Sequence, residues 1–244
     1  MTDADPRPAY YAARPGGLRD WWTLLHPPYT LWHLAYVVIG ASLAPHVDTG
    51  RLIATLLAFF FAVGLAAHAL DELQGRPLQT HIPSRALVAA TIVGLVAACA
   101  FGVAGVARVG FALVPFIVIG PLLVVAYNTQ LFGGLVHTMT GFALAWGAFP
   151  VLTAYVAQTS RLALAPVLAA GGAFALSYAQ RSLSTPARRL RRQVDHVSGS
   201  IVFTDGSTRP IDSADLLLPL ERALRATSWG VVALAAALAV ARLR

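Results

Sequence analysis

Leu52-Ile-Ala-Thr-Leu-Leu-Ala-Phe-Phe-Phe-Ala-Val-Gly-Leu-Ala-Ala67-His68-Ala-Leu70-Asp71-Glu72-Leu-Gln74-Gly75-Arg76-Pro77 opens with an uncharged run over 52–70 that is long enough to cross a bilayer as one helix. It then meets two adjacent carboxylates, the only acids in the chain that follow directly on such a run. An acid at that depth is costly without a partner, so Asp71 and Glu72 mark a candidate functional site. The plainer alternative places both just past the helix end in headgroup water, paired with Arg76.

The surrounding composition fixes the class. Of the 244 residues 57% are apolar and 12% charged, and the mean hydropathy is +0.65, far outside the soluble range. The chain reads as an all-α polytopic membrane protein with about seven transmembrane helices, over 29–45, 52–70, 86–107, 109–127, 135–158, 162–182 and 226–241. The last segment is the shortest. The first 20 residues are polar and contain Pro and Arg without an apolar core, so no cleavable signal peptide is expected and the first span anchors in place.

Several classes are excluded. Cys99 is the single cysteine, which rules out an intramolecular disulfide or a cysteine metal cluster within one chain, and it reads as a small buried hydrophobe. All 18 basic residues are arginine. Retinal-type Schiff-base chemistry needs a lysine amine, so seven spans do not make a rhodopsin.

The net charge of +7 reads as topology. With the N-terminus in the cytoplasm, thirteen arginines fall on inner segments and five on outer ones, a strong positive-inside bias. Trp21 and Trp22 then lie at the cytoplasmic headgroup level. This divides the chain into a cytoplasmic N-terminal segment (1–24), a transmembrane bundle (25–183), a cytoplasmic insertion (184–225) and a C-terminal transmembrane helix (226–244). Within the insertion, Asp205-Gly206 between the β-branched run at Ile201-Val202 and Thr208 predicts a small β-hairpin over 200–211, followed by a Leu-rich interfacial helix. The run Arg188-Arg189-Leu190-Arg191-Arg192 is read as a stop-transfer signal in contact with anionic lipid headgroups. No aromatic platform accompanies it, so no nucleic-acid partner is expected.

Alternating spans collect polar residues at the inner ends: His26, Tyr29 and His33; His68, Asp71 and Glu72; Tyr127 and Asn128; His137, Thr138 and Thr140; Tyr178, Gln180 and Arg181. The outer ends offer only His46, Asp48 and Gln158. Such a crown over an apolar bundle predicts a cavity open to the cytoplasm and enclosed by the second, fourth, fifth and sixth spans. It would take a lipidic substrate from the bilayer and a polar one from water.

On these residues the chain resembles the UbiA-type membrane prenyltransferases, and most of all the branch acting on 1,4-dihydroxy-2-naphthoate. His26-Pro27-Pro28-Tyr29-Thr30-Leu31 is similar to the family's opening Arg-Pro-x-Thr-Leu segment, and Ala67-His68-Ala69-Leu70-Asp71 with Arg76-Pro77-Leu78 falls where its first aspartate-rich motif lies. Tyr127-Asn128-Thr129 and the stretch from Trp146 through Pro150 and Tyr155 to Gln158 look like its fourth and fifth spans. The resemblance covers about 25–192. It implies a UbiA-like helical bundle around a central cavity, with aspartate-rich loops after spans two and six that hold Mg2+ on the diphosphate of an isoprenoid substrate, so that the allylic carbon leaves as a cation.

The motifs are degenerate. Asn-Asp becomes Ala67-His68, Asp71 stays in register, and the last aspartate falls on Gly75 unless Glu72 substitutes for it. The second motif's acids fall near Gln180 and Ser184, with no carboxylate. Beside the family's usual nine helices, seven are expected here. The resemblance thus implies a divergent prenyltransferase or isoprenoid-processing enzyme. Asp71 and Glu72 would hold Mg2+, Asp71, Tyr127, Asn128 and His137 would act in catalysis, and His68, Arg76, Gln180 and Arg181 would bind substrate. The alternative is a non-catalytic isoprenoid- or quinone-binding subunit that docks a protein partner through the 200–211 hairpin. A third reading gathers His33, His68 and His137 with Asp71 as transition-metal or haem ligands. All three place an integral protein in a bacterial inner membrane.

Overall fold

Helices form where the apolar runs lie, because a backbone in hydrocarbon must satisfy its own hydrogen bonds. The computed structural model describes residues 8–242. A short helix α1 (Leu18–Leu24) precedes α2 (Pro27–Ser42), which Pro27 and Pro28 start at positions where no helical N–H is needed. The next rod is α3 (Thr49–Phe59), a π-helical stretch Phe60–Ala67, and α4 (His68–Leu73). Then come α5 (Ser84–Val109), α6 (Val114–Asn128), α7 (Met139–Ala143) with a second π-helical stretch Leu144–Ala148 leading into α8 (Phe149–Thr159), and α9 (Leu164–Gln193). Strands β1 (Ser200–Val202) and β2 (Thr208–Pro210) precede α10 (Ser213–Arg242).

Seven rods thus follow the seven expected spans, and the fold is an all-α membrane bundle. Five are long and apolar enough to cross a membrane: Thr49–Leu73, Ser84–Val109, Phe111–Asn128, Met139–Thr159 and Ser213–Arg242. Of the other two, α2 has 16 residues and α9 turns polar in its second half, where it carries Gln180, Arg181, Arg188, Arg189, Arg191 and Arg192. Large apolar side chains such as Val93 and Val96 on α5, Val118 on α6, Leu168 on α9 and Leu234 on α10 are exposed, as lipid-facing positions require.

Close backbone approach sets the packing. A Cβ added at Gly94 of α5 would lie 2.7 Å from the Phe61 carbonyl oxygen in the first π-helical stretch, and one at Gly147 would lie 2.6 Å from the Ala173 carbonyl oxygen of α9. Around these contacts α2 packs on α8 and α10, and α9 on Leu144–Ala148. Pro150 has no N–H to give the Trp146 carbonyl four residues back, and His33 Nδ1 lies 2.9 Å from that oxygen, tying α2 to the second π-helical stretch.

Two boundaries differ from expectation. The helix of the sixth span runs on to Gln193, so the arginine run belongs to α9 rather than to the start of an insertion at 184. The interfacial helix and the final span are one continuous helix, α10, with no break at 225. The Arg191 guanidinium pairs with both Glu221 carboxylate oxygens and holds these two extensions side by side above the bundle, with Glu221 buried. The hairpin forms as expected. Its strands pair antiparallel with Ile201 opposite Arg209, Gly206 adopts φ +84, and Asp205 Oδ1 accepts the Ser207 N–H at 2.8 Å.

Candidate functional site

An apolar cavity and a cluster of polar side chains meet at Trp146. The cavity, of about 300 Å³, lies between α3, α5, α6 and α8 and is lined by Phe59, Val63, Phe116, Val124, Trp146 and Phe149 among others. It reaches Arg51 and Arg108 at the end of the molecule remote from the arginine run. This corrects the expected placement: the third span takes the wall assigned to the sixth, and the cavity extends through the far half of the bundle. Arg51 is committed there to backbone, donating to the carbonyls of Gln158 at 3.0 Å and Arg108 at 2.8 Å.

At the arginine-rich end, part of the expected polar crown comes together. His68 stacks on His26 with ring centroids 4.2 Å apart, and Tyr127 stacks on His137 at 4.5 Å. Tyr127 meets the Trp146 ring edge-on at 5.7 Å, so Trp146 is the wall common to crown and cavity. Arg181 donates to the Tyr127 hydroxyl, and its guanidinium carbon lies 5.1 Å from the Phe142 ring centroid and 5.5 Å from that of Tyr127. Gln180 is buried and its Oε1 has no partner, and the Arg181 Nε is likewise sealed and unpartnered.

Asp71 and Glu72 part company. Glu72 is fully buried and accepts from the Leu78 N–H (2.9 Å), the Thr80 N–H (2.9 Å) and the Thr80 hydroxyl (2.8 Å), so both oxygens are spent shaping residues 74–83. Its expected role as a metal ligand is therefore corrected to a loop anchor. Arg76 is corrected for the same reason: its guanidinium donates to the Ile82 carbonyl at 2.6 Å and to the Ser84 hydroxyl at 2.8 Å, not toward a substrate. The Asn128 amide turns back on its own helix, donating to the Val124 carbonyl at 2.8 Å. The Asp71 carboxylate makes no hydrogen bond among the described residues. The cations that act on it most strongly are Arg188 and Arg192.

Those two arginines were assigned to lipid headgroups by the sequence reading. Because α9 continues, Gln180, Ser184, Arg188 and Arg192 recur every four residues along one helical face. That periodicity is the signal that was available and unused. Arg192 also donates to the Pro8 carbonyl at 3.2 Å, which brings residues 8–13 over the chamber. The Tyr11 hydroxyl lies 2.6 Å from His26 Nδ1. Burial drives the Tyr11 pKa well up, and burial followed by the neighbouring His68 and Arg192 drives the His26 pKa well down, so both are neutral at pH 7.

Mg2+ is ordinarily held in a near-octahedral shell by one or two carboxylates together with waters and substrate phosphates, and here the protein's share would fall to Asp71 alone. With Glu72 spent on its loop, Asp71 is the one carboxylate of this pair still available, and the cations acting on it most strongly are guanidinium groups. The described residues contain no group of three or more His, Cys, Asp or Glu able to hold a metal ion. The histidine-site reading is corrected with it, since His33, His68, His137 and Asp71 form no such group; each of the three rings directs Nδ1 at a backbone carbonyl, of Trp146, Gly64 and Tyr127 respectively.

By sequence, no family model and no curated protein matches the chain. By structure, it is similar to a UbiA homolog from Archaeoglobus fulgidus bound to Cd2+, with a TM-score of 0.52 and 14% identity over 92% of this chain and 85% of that one. The likeness shows the fold, a UbiA-like bundle of membrane helices.

Proposed function

We propose that the protein is a divergent UbiA-type prenyltransferase, nearest in kind to the 1,4-dihydroxy-2-naphthoate branch. The observation that carries this is the convergence of Asp71, Tyr127, His137 and Arg181 at the wall shared with an apolar cavity. A prenyl diphosphate places its head in the polar chamber and its hydrocarbon along the apolar side of Trp146. When the allylic C–O bond breaks, the bonding pair leaves on the diphosphate and the allylic cation lies against the faces of Tyr127 and Trp146. An aromatic acceptor carbon then bonds to the cation, and its displaced proton passes to the Asp71 carboxylate. His137, with Nδ1 directed at the Tyr127 carbonyl, keeps its Nε2 lone pair to orient the acceptor hydroxyl. The charge bias supports a cytoplasmic position for this polar cluster, and in a bacterial inner membrane the exposed Arg85 and Arg189 would meet anionic headgroups.

A second reading has its own support. The second motif lacks carboxylates, and the hairpin exposes Val202 and Phe203, as fits a non-catalytic isoprenoid- or quinone-binding subunit that docks a partner there. The two are separated by supplying the protein in nanodiscs with farnesyl diphosphate and 1,4-dihydroxy-2-naphthoate. Formation of prenylated product with stoichiometric diphosphate release supports the enzyme. Tight binding of farnesyl diphosphate with no turnover on any aromatic acceptor supports the subunit.

A further inference from the structure

We propose that the head-group site binds its diphosphate through arginine side chains and without a divalent cation. The inference rests on the reading that the chamber takes a prenyl diphosphate, and it concerns how the charge of that group is met.

The charge balance points this way. Of the two acids at the first motif, Glu72 is withdrawn into the 74–83 loop and satisfied by three donors, which leaves Asp71 alone. Arg188 and Arg192 are the cations that act on it most strongly, and Arg181 donates to Tyr127, on which Arg188 and Asp71 also act. A divalent ion between these walls would gain one carboxylate and be repelled by the guanidinium groups. A diphosphate there is attracted by three cations and opposed by one anion.

Geometry supports the same assignment. The stripe Gln180, Ser184, Arg188, Arg192 turns one face of α9 into a ladder of donors, and its first two positions are those near which the acids of an aspartate-rich motif would fall. Arg188 is exposed and makes no hydrogen bond among the described residues, so its forked donors are available to phosphate oxygens. Below it, the buried Arg181 Nε and Gln180 Oε1 lack partners, a cost that a buried polar group bears only where a ligand or water completes it.

Farnesyl diphosphate binding to the full chain in phosphatidylcholine nanodiscs, measured by isothermal titration in EDTA and again in excess Mg2+, tests this. The expected affinity in EDTA is within about twofold of that in Mg2+. Arg188→Gln should weaken binding about tenfold or more, and Arg188→Lys should recover part of the loss. Because Arg188 is exposed, neither variant should shift the thermal midpoint. Binding that vanishes in EDTA and returns with Mg2+ overturns the inference and leaves the prenyl diphosphate reading standing. Binding absent under both conditions overturns both. Repeating the titration in phosphatidylglycerol nanodiscs distinguishes the source of the phosphate: loss of farnesyl diphosphate binding there would assign the arginines to lipid headgroups and overturn the inference, whereas unchanged affinity supports it.

Discussion

Adjacent in sequence, Asp71 and Glu72 are turned apart by about 100° of helix rotation, so one faces the chamber and the other the loop that follows. Glu72→Ala should therefore cost about 3–5 kcal/mol of stability, since it leaves the N–H groups of Leu78 and Thr80 buried without an acceptor. Chemical denaturation in detergent measures it. Asp71→Asn should leave stability within about 0.5 kcal/mol and lower turnover about 10²-fold or more, because an amide cannot take the proton. The sequence marked this pair but not the division of labour, which depends on where a ten-residue loop folds back. His26 makes a separate prediction. Its folded pKa lies well below the ordinary 6.5, so the unfolded chain binds a proton that the folded chain refuses. The stability contributed by the neutral ring is complete above about pH 6.5 and is lost as the pH falls below it. Unfolding midpoints at pH 7.5 and 5 should show that loss in the parent and much less of it in His26→Asn.

Helix α9 holds the site together at the scale of elements. It approaches Leu144–Ala148 so closely that a Cβ at Gly147 would lie 2.6 Å from the Ala173 carbonyl oxygen and 2.7 Å from Ser177 Oγ. Gly147→Ala should cost about 1–3 kcal/mol by forcing these helices apart, read as a lower unfolding midpoint in detergent. It should also weaken farnesyl diphosphate binding, since α9 carries Gln180, Arg181, Arg188 and Arg192. The apolar cores of the helices were legible from hydropathy, which reports the lipid requirement directly. Their polar ends were not, because Arg188 to Arg192 scores as a stop signal whether it lies in headgroups or over a chamber. Only the four-residue spacing back to Gln180 and the anchor at Glu221 show that the helix continues. The hairpin was legible because Gly206 supplies the positive φ that its turn demands.

For the whole molecule, the positive-inside bias predicts that the hairpin and chamber share the cytoplasmic side. A Ser207→Cys thiol in a Cys99→Ser background should react with a membrane-impermeant maleimide only after the cells are opened, and labelling of intact cells would reverse the orientation. The apolar cavity beside Trp146 could not be read from the chain, because it is built from the mutual fit of α3, α5, α6 and α8 rather than from any motif. The central claim is that the diphosphate of an isoprenoid sits between Asp71 and the arginines of α9, over an apolar cavity. An experimental structure with farnesyl thiodiphosphate, a slowly reacting analogue, tests it most directly. Phosphate density is expected between Asp71 and Arg188, with the farnesyl chain against Trp146. Phosphate density away from both residues, or a metal ion bridging it to Glu72, would contradict it.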